Sequence, residues 1–174
     1  MVPETSIVRL LLVEDDPDDQ WLLQDLLSRV GGSEPYQVEV VSSYEAALAA
    51  LARHEHDIGI VDYLLGGYTG IDLLNATSAD QQRPPLILLT GHGSDEVDRG
   101  ALLAGAADYL VKSSLDAHRL ERSLRYVLAQ HRLNQRLLER ERNHAAIFDA
   151  SPLPLWVYDD ATLGILEVNE AALD

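Results

Sequence analysis

Five short apolar runs recur along the chain: IVRLLLV (7–13), YQVEVV (36–41), DIGIVD (57–62), PLILLT (85–90) and AADYLV (106–111). Several are apolar at nearly every position, as strands buried on both faces are. Between them lie helical patterns: Trp21, Leu22, Asp25, Leu26 and Arg29 in the first, SYEAALAALAR (43–53) in the second, GIDLLNAT (70–77) in the third and DEVDRGALLAG (95–105) in the fourth. Strand and helix thus alternate five times with short connections. That alternation predicts an α/β fold, a doubly wound five-stranded parallel sheet with right-handed crossovers and helices on both faces. Functional groups then gather outside the carboxyl ends of the strands.

After Lys112 the pattern changes. From Ser113 to His144 there is neither Gly nor Pro, and seven arginines stand against four acids. The spacing predicts one extended helix, on the order of 45 Å if unbroken. Leu120, Leu124, Val127 and Leu128 are placed to pack on the domain, whereas QHRLNQRLLERERNH keeps only Leu133, Leu137 and Leu138 as apolar anchors. That second half is expected to leave the domain surface, either as one strand of a two-stranded contact or as a solvated helix. The final stretch, IFDASPLPLWVYDDATLGILEVNEAALD, predicts a Pro-punctuated loop, a strand at Leu155 to Tyr158, a turn at DDATLG, a strand at Ile165 to Val168 and a helix start at Asn169. Two strands do not support a domain of their own, so this stretch reads as the opening of a second domain.

Composition narrows the class. With 174 residues there is room for one complete domain and an appendage, and 47% apolar with 24% charged residues matches a soluble globular protein. A formal charge of -16 argues against nucleic acid or an anionic membrane as partner. Absence of cysteine removes disulfides, thiolate metal sites and thiol nucleophiles. No basic segment leads into an apolar run with a cleavage site, and no stretch nears about 18 uncharged apolar residues, so the expected location is cytoplasmic.

The charge is unevenly placed. LLVEDDPDDQ (11–20) sets Glu14, Asp15, Asp16, Asp18 and Asp19 directly behind the first strand. Like charges that close disfavour one another, so the crowding calls for a reason. In a parallel sheet the first strand delivers Glu14 and Asp15 to one rim. The third delivers Asp62 and the fourth Thr90, while Lys112, the only lysine in the chain, follows the fifth. Three carboxylates suit a hard divalent cation, Mg2+ above all. Beside such an ion an Asp carboxylate can attack a phosphoryl group, with a hydroxyl and an ammonium aimed at the equatorial oxygens. Asp16 fits the N-cap of the first helix with Pro17 at its first position, although it could also border the metal shell. Asp18 and Asp19 fall in the first turn, where acids complement the helix dipole. Singly, Asp62 reads equally well as a strand-end turn residue, and Lys112 as a surface lysine.

As an ordered set these residues resemble the receiver domain of two-component response regulators. The resemblance covers roughly residues 7 to 130 and rests on LLVEDDP, IVDYLLGGYTGIDLL with a Gly eight residues after the Asp, LILLTGHG and AGAADYLVK. It implies a flavodoxin-like fold with Asp62 as phosphoacceptor. Mg2+ would be held directly by Asp15, Asp62 and the backbone carbonyl of Leu64, and through water by Glu14. Thr90 and Lys112 would bind phosphoryl oxygens, and Tyr109 would turn inward as Thr90 moves. A histidine kinase or phosphotransfer protein would be the donor, and the module would be a switch, not a turnover enzyme.

Three departures from the family pattern stand out. Gly66, next to Gly67, replaces the usual Pro four residues after the phosphoacceptor, which predicts a more flexible loop. Ser113 replaces the Pro after the lysine, leaving open whether the Lys112–Ser113 bond is cis. Leu64 and His92 occupy the positions flanking the acyl phosphate, and an apolar Leu64 would hinder the attacking water.

The tail, AIFDASPLPLWVYDDATLGILEVNEAA, resembles the opening of a PAS domain and covers about its first quarter. The expected organisation is a receiver over 1–130, a helical linker over 131–146 and a PAS start over 147–174, with a homodimer through the last receiver helix and linker. Rival readings are a phosphorylation-independent interaction module and a haloacid-dehalogenase-type phosphohydrolase. The second is disfavoured because VEDDPDD puts Pro17 where its D-x-D-x-[TV] motif would continue. A calcium loop fails because the acids are contiguous instead of alternating toward a Gly.

Overall fold

A computed structural model describes residues 7–30, 35–91 and 100–173. Its core is a five-stranded parallel sheet in the order β2-β1-β3-β6-β7, built from β1 (Val8–Val13), β2 (Tyr36–Val41), β3 (Ile58–Asp62), β6 (Leu86–Thr90) and β7 (Asp108–Val111). Helices α1 (Pro17–Arg29), α2 (Tyr44–Leu51) and α3 (Gly70–Ala76) connect the strands. A small antiparallel hairpin, β4 (Leu64–Leu65) with β5 (Tyr68–Thr69), precedes α3. Residues 95–99 of the predicted helix over 95–105 fall outside the described residues; its residues 100–103 are helical.

Each central strand is split by its period of two. Leu10 and Leu12, Ile58 and Ile60, and Ile87 and Leu89 enter one apolar cluster, which α1 covers with Leu23 and Leu27 and the long helix with Leu120, Leu124, Val127 and Leu128. Leu11, Val13, Val61, Leu86 and Leu88 enter the other, against Ala47, Ala50 and Leu51 of α2 and Leu73 and Leu74 of α3. Burial on both faces is what makes these strands read as unbroken apolar runs. The helix starts follow from their caps. Asp16 Oδ1 accepts from the backbone N–H of Asp18 and Asp19, with Pro17 opening the helix. Thr69 and Asp72 form a reciprocal capping box on α3.

The structure answers one open question and reshapes one expectation. The peptide bond after Lys112 is trans, as no cis bond occurs among the described residues, and Lys112–Ser114 forms a 3-10 turn. Gly66 and Gly67 form the tight turn of the β4–β5 hairpin rather than a slack loop. Gly66 takes φ of +62°, a conformation closed to proline.

The long helix α4 (Ala117–Asp149) starts later than the sequence suggests and continues past His144. The chain divides into two compact units, 1–129 and 130–174. In the second unit, β8 (Trp156–Tyr158) pairs antiparallel with β9 (Ile165–Val168). Asp159 Oδ1 caps the turn between them, accepting from the backbone N–H of Ala161 and Thr162. A 3-10 turn, Glu170–Ala172, starts directly after Asn169 as the sequence predicts, but the Asn169 side chain makes no cap bond to it. It is fully buried instead, accepting from the Leu155 N–H and donating to the carbonyls of Phe148 and Leu153.

Candidate functional site

The strand order reverses between β1 and β3, and at that switch point the two strands end on one rim. Glu14 and Asp15 leave β1 there and Asp62 closes β3. One carboxylate oxygen from each of the three lies within 4.8 Å of the others, with Glu14 and Asp62 buried and Asp15 exposed. Opposite ligands of a six-coordinate Mg2+ lie about 4.2 Å apart, so this donor set matches the ion with small side-chain adjustments. Asp16 is not in the group, because its carboxylate is committed to capping α1.

Close packing sets the position of Asp62. A Cβ on Gly70 would stand 2.7 Å from the Asp62 carbonyl oxygen, so only glycine lets α3 begin against the end of β3. The Gly70 N–H also donates to the Tyr63 carbonyl at 2.8 Å. This accounts for the Gly found eight residues after the Asp.

Lys112 follows directly on the carboxyl end of β7 and reaches the same rim. Its ammonium lies 2.7 Å from Glu14 Oε2, 2.8 Å from Asp62 Oδ1 and 2.6 Å from Asp19 Oδ2. Burial pulls the ammonium pKa down, but the bonds to Asp19, Asp62 and Glu14 outweigh it and hold it above the ordinary lysine range. Glu14 is pushed up by burial, against the hydrogen bond from Lys112, with the charge of Asp62 adding to the rise. Backbone donors complete the set: Asp16 N–H to Glu14 Oε1, Leu64 N–H to Asp62 Oδ2 and Gly66 N–H to Asp15 Oδ2. Neither Asp19 nor Gly66 was legible as a site residue. Asp19 sits 93 positions from Lys112 and already had a local explanation as a first-turn acid.

Thr90 ends β6, and its hydroxyl is buried without a hydrogen-bond partner among the described residues. A hydroxyl in that condition is costly unless something arrives to bond it. Tyr109, in β7, is half-buried against the second core cluster and lines an open groove of about 660 Å³ with Arg122 and Tyr126. Leu64 faces solvent, at 61% exposure. His92 lies outside the described residues.

Comparison with known proteins agrees with this geometry. A family model described as the response regulator receiver domain matches residues 10–125. The two-component response regulator PhoP of Pseudomonas aeruginosa is 29% identical over 159 residues, covering 87% of this chain and 68% of that protein. Response regulator protein FleR of the same organism is 37% identical over 145 residues, which cover 82% of this chain but only 28% of FleR. Among solved structures, the signal receiver domain of an HD domain-containing protein from Pseudomonas fluorescens Pf-5 superposes with a TM-score of 0.66 at 28% identity, covering 78% of this chain and 96% of that one. With the sheet order, the acidic rim and the family match in agreement, the chain belongs to the response regulator receiver domain family of two-component systems.

Proposed function

We propose that this chain is a phosphoaspartate switch in which Asp62 takes a phosphoryl group from a histidine kinase or phosphotransfer protein. The observation that carries the reading is one rim holding the carboxylates of Glu14, Asp15 and Asp62, with the Lys112 ammonium 2.8 Å from Asp62. Asp15, Asp62 and the Leu64 carbonyl would hold Mg2+, and Glu14 would act through water; the ion supplies charge neutralisation for the phosphoryl oxygens. An Asp62 oxygen forms the bond to phosphorus as the donor's bond to phosphorus breaks. Lys112 exchanges its bond with Asp62 for one to a phosphoryl oxygen, and the Thr90 hydroxyl gains the partner it lacks.

The added charge, about 1.5 to 2 negative units at neutral pH, draws the end of β6 inward and frees space for Tyr109. The groove beside β7 and α4 then changes shape, which is how a local charge becomes an output. Nothing in this cycle regenerates a free enzyme and product on each turn, in keeping with receiver domains being signalling modules. Residues 131–146 serve as a helical linker and 147–174 as the start of a PAS domain. The buried Asn169, which ties the end of α4 to the β8–β9 hairpin, supports a specific fold for that segment.

Incubation with a small phosphodonor and Mg2+, followed by intact mass, tests the reading. Wild type should gain one phosphoryl group and Asp62→Asn none. A wild type that stays unmodified would favour a phosphorylation-independent interaction module.

A further inference from the structure

The three hydrogens of the Lys112 ammonium meet three carboxylates, and one of these, Asp19, is not among the residues that carry the family resemblance. Asp19 comes from the first turn of α1, is not a member of the metal cluster, and makes the shortest of the three contacts at 2.6 Å. The other two contacts fall on Glu14 and Asp62, both members of the candidate metal cluster. A divalent cation held by Asp62 directly and by Glu14 through water would compete with Lys112 for their oxygens and repel its charge. Asp19 lies outside the cluster and remains free to hold the ammonium.

We infer that Asp19 is a positioning residue for Lys112, retaining the ammonium at the rim when Mg2+ takes up Glu14 and Asp62. The inference rests on the metal reading proposed above. Without Asp19, Lys112 has, among the described residues, only the metal-binding acids as partners. Mg2+ binding would then have to displace it into solvent, where its four-carbon stem has many rotamers and the phosphoryl site loses a preset cation.

A double-mutant cycle on Mg2+ affinity, measured by calorimetry without phosphodonor, tests this. Asp19→Asn in the wild-type background should weaken Mg2+ binding by roughly two- to fivefold, the scale of a partly exposed ion pair. The same substitution in a Lys112→Met background should have no effect, because the competitor is gone. Equal weakening in both backgrounds would mean that Asp19 acts only as a distant negative charge, and would overturn the inference. So would an unchanged affinity in Asp19→Asn alone. A wild type that takes up no Mg2+ would overturn the metal reading and this inference with it.

The sole lysine gives a second, independent readout. Lysine-labelled protein has one side-chain ammonium signal, from Lys112. At saturating Mg2+ that signal should remain distinct from free lysine in the wild type and move to the free position in Asp19→Asn. Identical behaviour in the two proteins would count against Asp19.

Discussion

At the residue scale, Glu14 carries the site's sharpest electrostatic conflict. It is fully buried, bonded to Lys112 and crowded by Asp62, and its pKa stands above the ordinary 4.5. Between that value and the raised one, the folded chain retains a proton that the unfolded chain has released. Stability therefore falls as pH rises through this window and stays reduced above it. Chemical denaturation at a series of pH values from about 4.5 upward should show this decline in wild type and lose it in Glu14→Gln. Leu64 makes a kinetic prediction. Its exposed apolar side chain follows Asp62 by two positions, where it would obstruct water approaching an acyl phosphate. Leu64→Asn should shorten the lifetime of the phosphorylated form, followed by loss of added mass over time. A wild-type half-life of only seconds would sink the idea.

At the element scale, the loop after Asp62 shows how little slack the site has. The β4–β5 hairpin turns at Gly66, whose N–H reaches Asp15, and Tyr68 of β5 stacks on Tyr44 of α2 with ring centroids 4.2 Å apart. The pair of glycines suggested looseness, but neighbours distant in sequence hold the hairpin. Gly70 bears the tightest contact. Gly70→Ala forces a methyl group against the Asp62 carbonyl and should cost about 1 to 3 kcal/mol, read as a lower denaturation midpoint. Phosphoryl uptake should fall as well, because relief of the clash moves the end of β3 that carries Asp62.

At the scale of the whole molecule, α4 serves both units. Its first turns bury Leu120, Leu124, Val127 and Leu128 in the receiver core. Further along, Leu133, Leu137 and Leu138 remain 58%, 49% and 48% exposed. Apolar residues recurring among charges on an exposed helix suit a second copy of the same helix. Sedimentation analysis should show a dimer that Leu137→Arg weakens while helix content is retained. A monomer at every concentration would assign this stretch to a solvated helix. No helix among the described residues is long and apolar enough to cross a membrane.

The sequence by itself determined the sheet, the order of its elements and the identity of the acidic rim. Strands buried on both faces must be apolar throughout, and residues at the ends of parallel strands must share an edge. The N-cap at Asp16 was legible for the same reason, since capping is local chemistry within three residues. Only the tertiary structure decided that Glu14 and Asp19, of the five acids, meet Lys112, why position 70 is glycine and what Asn169 does. Asp19 meets Lys112 across 93 positions, Gly70 faces a carbonyl from the preceding strand, and Asn169 bonds back to a helix end 21 residues earlier. Local periodicity carries no information about such contacts, which exist only once the chain has closed on itself.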